Sequence, residues 1–206
     1  MVVKNHSKIT KTMRLYPLAL TALVAASLSV SCAQTQAAPN DTTRVPVTFS
    51  GGHATDPRDK GRPVVLIAAA LGVPTEVFRE AFTHVHPADP GRGPTGDEAR
   101  ANKRALLDAL APYGVTNDRL DEVSNYYRYD RSRGEMWPTQ DAVAYALVKN
   151  GKVTGFEVVS SGSGYSSPPQ ITIPNRDLSV TTELSWSKTF EKNGALSKIT
   201  LPKPTK

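Results

Sequence analysis

The hydrophobic pattern of the chain changes its period once, close to Trp137 and Pro138, and this change constrains the fold most strongly. Upstream, apolar residues recur every three or four positions, which is typical of amphipathic helices. Downstream, apolar and polar residues alternate, which is typical of strands with one buried face. The sequence therefore predicts an α+β fold in which helices precede a small antiparallel sheet.

The predicted helical domain covers residues 56–133. Pro63 ahead of an apolar run and Gly72 behind it fit the usual asymmetry of helix starts and stops. Thr95 and Glu98 have the spacing of a capping box. The stretches "ALGVPTEVFREAF" and "PYGVTNDRLDEVS" each combine a helix end, Gly-Val and a new helix start. They predict two helical hairpins that pack on each other.

The predicted β domain covers residues 138–202 and rests on two Asn-Gly pairs. Asn150-Gly151 and Asn193-Gly194 each stand between apolar runs, and this dipeptide favours a hairpin because it tolerates positive φ at both positions. The two hairpins predict one antiparallel sheet of about four or five strands. Between them, "GSGYSSPP" is interpreted as a tight turn, because its glycines permit positive φ and its prolines interrupt strand pairing.

Residues 1–32 have the pattern of a secretory signal peptide. Four basic residues precede an apolar run at 15–30, which is shorter than the roughly twenty residues of a membrane-spanning helix. Two processing routes stay open: signal peptidase cleaves after Ala33, or Cys32 becomes the lipidated first residue of a lipoprotein. Cys32 is the only cysteine of the chain, so it has no partner for an internal disulfide. A polar tether with at most one short strand is predicted for residues 33–55.

Export removes most of the positive charge that would favour a nucleic-acid partner. The full chain has 25 basic and 19 acidic residues, and four of the basic ones lie within residues 1–32. The mature chain keeps 21 basic against 19 acidic residues, and this net charge of +2 is too weak to predict nucleic-acid binding. We expect a periplasmic or outer-envelope protein, with a lipid on Cys32 as its only membrane attachment.

Four stretches resemble a group of exported proteins predicted from planctomycete-type genomes, a family of unknown function. They are "GGHATDPRDKGRPVVLIAAALGV", "GPTGDEARANKRALL", "YGVTNDRLDEVSNYYRY" and "GYSSPPQITI". The last is also similar to a repeat of bacterial and phage surface β-domains, where it is architectural. The resemblance covers nearly all of residues 51–174. It implies an envelope location and a two-part fold, and it assigns no activity and no site residue.

Three histidines of the mature chain form a candidate site for a divalent metal. His84 and His86 have an H-x-H spacing, which on a strand points both imidazoles to the same side. His53 would supply the third nitrogen ligand. The aspartates that would complete the shell are Asp56, Asp59 and Asp89. A metal-dependent periplasmic enzyme or metal-binding protein is therefore the alternative hypothesis, beside a plain polar loop without a cofactor.

The densest group of aromatic and guanidinium side chains lies in "NYYRYDRSRGEMW", between the last predicted helix and the first predicted hairpin. Such groups stack on sugars and bind carboxylates or phosphates, or else they join two substructures by burying their rings. We select Tyr129, Arg131 and Trp137 as candidate binding residues, because junctions between substructures form grooves. The expected partner is an acidic or sugar-bearing envelope polymer, or a protein. The sequence thus favours a binding or structural role in the envelope and assigns no catalytic residue.

Overall fold

Four α-helices lie between residues 64 and 126 in the described part of the chain. The computed structural model describes residues 42–86 and 92–202. The helices are α1 (Val64–Leu71), α2 (Thr75–Thr83), α3 (Gly96–Leu110) and α4 (Asn117–Tyr126). The signal peptide and Cys32 lie outside the described residues, so their predictions stay open. No helix of the described ranges is long and apolar enough to cross a membrane.

The helix boundaries follow local sequence signals. α1 ends at Gly72, whose φ of 75° is the left-handed value that glycine adopts most easily. At the start of α3, the Thr95 N–H donates to the Glu98 carboxylate (2.7 Å) and the Glu98 N–H donates to the Thr95 hydroxyl (3.2 Å). The predicted capping box is therefore confirmed.

The helical core is built around α1, which has apolar side chains on every face. Leu66, Ala68 and Ala70 are fully buried. A short helix that is apolar all round is stable in water only when neighbours cover it on several sides. The buried residues that cover α1 from other segments include Phe78, Leu110, Leu120, Val123, Tyr127 and Trp137. Two of these follow α4, so the helical core extends into the segment that leads to the strands.

Seven strands form three small antiparallel sheets within the described residues. They are β1 (Thr42–Pro46), β2 (Thr48–Ser50), β3 (Val143–Lys149), β4 (Lys152–Ser160), β5 (Gln170–Thr172), β6 (Thr181–Ser185) and β7 (Ala195–Thr200). The strand orders are β1-β3-β4, β2-β5 and β6-β7. Helices and antiparallel sheets together confirm the α+β class. The prediction of one sheet made from two hairpins is wrong, because β3 and β4 belong to one sheet and β6 and β7 to another.

The stretch from Thr42 to Ser50 was expected to be tether with at most one short strand, and it forms two. β1 pairs with β3 from Thr42 opposite Lys149 to Pro46 opposite Tyr145, and β2 pairs with β5. Both strands are mostly exposed, so they carry little apolar patterning. Their order comes from backbone hydrogen bonds to distant strands, which the side-chain pattern does not record. The predicted boundary of the tether at residue 55 is corrected accordingly.

The two Asn-Gly pairs have different structures. Asn150 and Gly151 have φ of 50° and 76° and join β3 to β4, so the predicted hairpin turn is confirmed here. Asn193 has φ of −87° and follows a short 3₁₀ turn in the longer loop between β6 and β7. The prediction of a second Asn-Gly hairpin turn is therefore wrong.

The physical reason for this different structure is that the Asn193 side chain is buried and joins several segments through hydrogen bonds. Its amide nitrogen donates to the Leu66 carbonyl (2.7 Å) and to the Tyr127 hydroxyl oxygen (2.8 Å), while its amide oxygen accepts from the Ser187 N–H (3.2 Å). Asn193 is fully buried. Burial raises the pKa of Tyr127 to about 12, so its hydroxyl stays neutral at this contact.

The "GSGY" stretch is a structural turn, as predicted. Gly162 and Gly164 have φ of 62° and 81°, and a Cβ at either position would collide with backbone of residues 138–142. Ser163 exchanges two backbone hydrogen bonds of 2.9 Å with Gln140. The ring of Tyr165 is buried, and its hydroxyl accepts from the Ala142 N–H (2.9 Å).

Replacement of Asn193 by alanine tests how much its side-chain hydrogen bonds stabilise the fold. We expect Asn193→Ala to lower the free energy of unfolding by about 2 to 4 kcal/mol, because it leaves two buried polar groups and one half-buried N–H without their partner. Urea unfolding followed by circular dichroism measures this loss. The matched control is Asn125→Ala at an exposed position of α4, expected within about 0.5 kcal/mol of wild type. Equal stability of the two variants would contradict the assigned role.

Candidate functional site

A small cleft lies where the segment after α4 approaches the loop between β2 and α1. It has a volume of about 200 Å³. We call it the junction cleft, and it is lined by His53, Thr55, Gly61, Tyr129, Arg131, Met136 and Trp137. The three residues that the sequence selected as binding residues thus line one cleft. His53, which the sequence assigned to a metal, lies in the same cleft.

Trp137 forms the buried wall of the junction cleft. Its side chain is only 4% exposed, and its indole N–H donates to the Gly164 carbonyl at 2.8 Å. The rings of Tyr129 and His53 meet the Trp137 ring edge-on, at centroid distances of 5.4 Å and 6.1 Å. Trp137 therefore joins the helical part to the "GSGY" turn, and the face of its ring is not available for stacking on a ligand.

His53 is held by a stack with Tyr165. The two rings are nearly parallel, with an interplanar angle of 9° and a centroid distance of 5.3 Å. The Nδ1 atom of His53 is buried and has no hydrogen-bond partner. A buried polar atom without a partner costs free energy, so this packing of His53 slightly opposes the stability gained from its stack with Tyr165.

Tyr129 and Arg131 approach the same glycine from the segment after α4. The Tyr129 hydroxyl donates to the Gly61 carbonyl. The Arg131 guanidinium lies against Gly61, where a Cβ would collide with it, and donates one long bond of 3.4 Å to the Lys60 carbonyl. Gly61 has φ of 88°, a value that glycine adopts most easily, whereas the Arg131 side chain could move aside for a Cβ.

A tight turn after Tyr129 gives two nearby arginines, Arg131 and Arg133, different partners. The Asp130 carboxylate accepts from the Ser132 hydroxyl (2.6 Å), from the Ser132 N–H (2.9 Å) and from the Arg133 guanidinium (3.0 Å). The Ser132 hydrogen bond, followed by that of Arg133, lowers the pKa of Asp130. Arg133 is thus paired with an acid, whereas Arg131 has no ion pair with any carboxylate of the described residues.

The three candidate binding residues have different environments. Trp137 is buried and Tyr129 is half-buried with its hydroxyl occupied, so both stabilise the junction. Arg131 is exposed, and most of its N–H donors have no partner among residues 42–86 and 92–202. Of the three, Arg131 is therefore the residue that is equipped to contact a ligand.

The three histidines do not come together as a metal site. His84 is the residue that ends α2, and the backbone of His86 is bound by the Asn102 side chain at 2.9 Å and 2.7 Å, so neither lies on a strand. No group of three or more His, Cys, Asp or Glu residues within the described ranges could hold a metal ion. The predicted site with His53 is corrected on this basis, and Asp89 lies outside the described residues.

The two remaining candidate metal ligands are held by arginines. The Asp59 carboxylate is buried and accepts two hydrogen bonds from Arg79, at 2.7 Å and 2.9 Å. Asp56 accepts from the Arg58 side chain and N–H, which lowers the pKa of Asp56 to about 2. Arg58, Asp59 and Arg79 line a larger cleft of about 570 Å³ between the 3₁₀ turn at Pro57–Asp59 and α2. Two of its three arginines, Arg58 and Arg79, are bound to acids, and the third, Arg62, lies over the Phe82 ring at 4.2 Å.

Sequence reasoning missed the place of His53 in the junction cleft. Its stack with Tyr165 joins positions 112 residues apart in the chain, and no local pattern encodes such a contact. The signal that was available is the pair Gly51-Gly52 before it, since two glycines after a strand mark a close approach of backbone to another group. A Cβ on Gly52 would indeed collide with the Tyr165 ring.

Comparison of the chain with protein-family models, with curated proteins and with solved structures gives no match. The functional argument therefore rests on the junction cleft.

Replacement of the two tryptophans tests whether Trp137 is structural. We expect Trp137→Phe to destabilise the protein by about 1 to 3 kcal/mol, because the Gly164 carbonyl loses its buried donor. The matched control is Trp186→Phe, where the side chain is 48% exposed, and we expect little change there. Thermal unfolding followed by circular dichroism distinguishes the two variants. A stable Trp137→Phe protein would show that the indole hydrogen bond contributes nothing.

Proposed function

We propose that this chain is an exported, envelope-associated binding protein whose ligand site is the junction cleft. In this proposal residues 1–32 direct export, and the mature protein is either free after cleavage behind Ala33 or attached through a lipid on Cys32. The protein belongs, on the same proposal, to the exported planctomycete-type group that its sequence resembles. Its helices form two hairpins, α1 with α2 and α3 with α4.

The observation that carries the binding role is the environment of Arg131. Its guanidinium is exposed at the mouth of a cleft, is placed against Gly61, and has no carboxylate partner within the described residues. An arginine with free donors in a concave site is a common means of recognising carboxylates and phosphates. The walls beside it are fixed by the hydrogen bonds of Tyr129 and Trp137, which reduces the entropy cost of binding.

The proposal assigns binding rather than catalysis because the cleft presents recognition groups. Its lining residues supply one guanidinium, one imidazole nitrogen, one threonine hydroxyl and the edges of aromatic rings. These groups orient an anionic or sugar-bearing ligand, and none of the seven lining residues is an acid that would serve as a general base beside the imidazole. An envelope polymer is the partner that this set fits.

An envelope pull-down with two arginine variants tests the binding role. Wild-type protein without its first 32 residues is immobilised and exposed to solubilised envelope extract. We expect Arg131→Ala to lose the bound polymer, since the free guanidinium is removed. The matched control is Arg133→Ala, which removes an equally exposed charge two residues away that is already paired with Asp130. Retention of every ligand by a folded Arg131→Ala protein would overturn the proposal.

Cell fractionation tests the export prediction and the role of Cys32. The tagged precursor is expected in the envelope fraction with a mass lowered by removal of the signal peptide. If the lipid is attached, Cys32→Ala moves the protein from the membrane to the soluble periplasmic fraction. Membrane association that persists in the Cys32→Ala protein contradicts the lipid anchor but leaves the export prediction standing. Recovery at full precursor mass in the cytosol contradicts export.

A further inference from the structure

Some polar side chains of the junction cleft are hydrogen-bonded to the protein backbone, and others have few or no partners among the described residues. The Tyr129 hydroxyl and the Trp137 indole N–H each donate to a backbone carbonyl. The Arg131 guanidinium makes a single long bond to Lys60, and Nδ1 of His53 is buried without a partner. The groups left for a ligand are therefore the Arg131 guanidinium and the part of the His53 ring that lines the cleft.

The charge of the cleft limits the ligand. Arg131 is the only lining residue with a permanent charge, and no acid stands among the seven lining side chains. One unpaired guanidinium is balanced by a group with one negative charge, and its planar fork matches the two oxygens of a carboxylate. His53 is a second polar side chain whose ring lines the same cleft.

The position of the lining residues favours a sugar over a peptide as the carrier of that carboxylate. All seven lie in loops or turns, outside the seven strands. Extended peptides are commonly bound by adding a strand to a free sheet edge, and no strand contributes to this cleft. The Met136 side chain is 46% exposed, and together with the edge of the Tyr129 ring it offers apolar surface to the C–H groups of a sugar.

We propose that the junction cleft binds the carboxylate of an acidic sugar unit, of the uronic-acid type, in an envelope polysaccharide. The Arg131 guanidinium binds the carboxylate oxygens, and the part of the His53 ring that lines the cleft lies beside the same group. Trp137, Tyr129 and Gly61 hold these two side chains in place. This inference rests on the proposed binding function and names its ligand class.

The test uses Trp137 as a fluorescent reporter inside the cleft. The chain has two tryptophans, and Trp186 is exposed, so Trp186→Phe leaves Trp137 as the only indole. The mature protein is titrated with trigalacturonic acid and, as the matched control, with its fully methyl-esterified form, which has the same sugar skeleton without charge. Isothermal calorimetry on the same samples detects binding that leaves the fluorescence unchanged.

We expect saturable binding of trigalacturonic acid and at least tenfold weaker binding of the methyl ester. Loss of a charged hydrogen-bond donor corresponds to about a tenfold to hundredfold change in affinity, which we expect for Arg131→Ala. Arg131→Lys keeps the charge without the fork and should recover only part of the affinity. Arg133→Ala should stay within about twofold of the parent protein.

Equal binding of acid and ester would overturn the carboxylate inference. A free C-terminal carboxylate peptide and its amidated form are titrated in parallel. Binding of the peptide acid without binding of trigalacturonic acid would overturn the sugar assignment. If neither acid binds but the envelope pull-down still depends on Arg131, the ligand class is wrong and the binding function stands. If the pull-down is also independent of Arg131, both proposals fail.

Discussion

The buried amide of Asn193 is the interaction on which the rest of the structure depends. It binds the Leu66 carbonyl in α1 and the Tyr127 hydroxyl after α4. The Asn193 carbonyl in turn accepts from the Gly164 N–H at 2.8 Å, and the Gly164 carbonyl accepts from Trp137. One continuous set of hydrogen bonds thus runs from the helical core, through the loop before β7, to the wall of the junction cleft.

This connection explains why aromatic residues and arginine have separate roles in the cleft. Trp137 and Tyr129 use their polar atoms on backbone carbonyls, so they are rigid and buried or half-buried. Arg131 lies within a turn that Asp130 closes with Ser132 and Arg133, and its guanidinium makes one long bond to the Lys60 carbonyl. A rigid wall beside an exposed cation is suited to recognition, because the wall residues lose little conformational freedom when a ligand binds.

The candidate site could be predicted in part. The composition of "NYYRYDRSRGEMW" and its position between helices and strands selected Tyr129, Arg131 and Trp137, which do line one cleft. The pattern did not distinguish the buried Trp137 from the exposed Arg131, because exposure depends on which distant carbonyl lies nearby. The H-x-H spacing was misleading for the same reason: His84 ends a helix and does not lie on a strand.

The sequence by itself determined the features whose causes are local. The end of α1 at Gly72, the Thr95 capping box and the Asn150-Gly151 turn depend on φ values and hydrogen bonds within a few residues. Tertiary structure alone decided the pairing of β1 with β3 and the burial of Asn193. An Asn-Gly pair encodes a turn only when its backbone is free to adopt positive φ, and the Asn193 side chain instead satisfies buried groups supplied by segments far away in the chain.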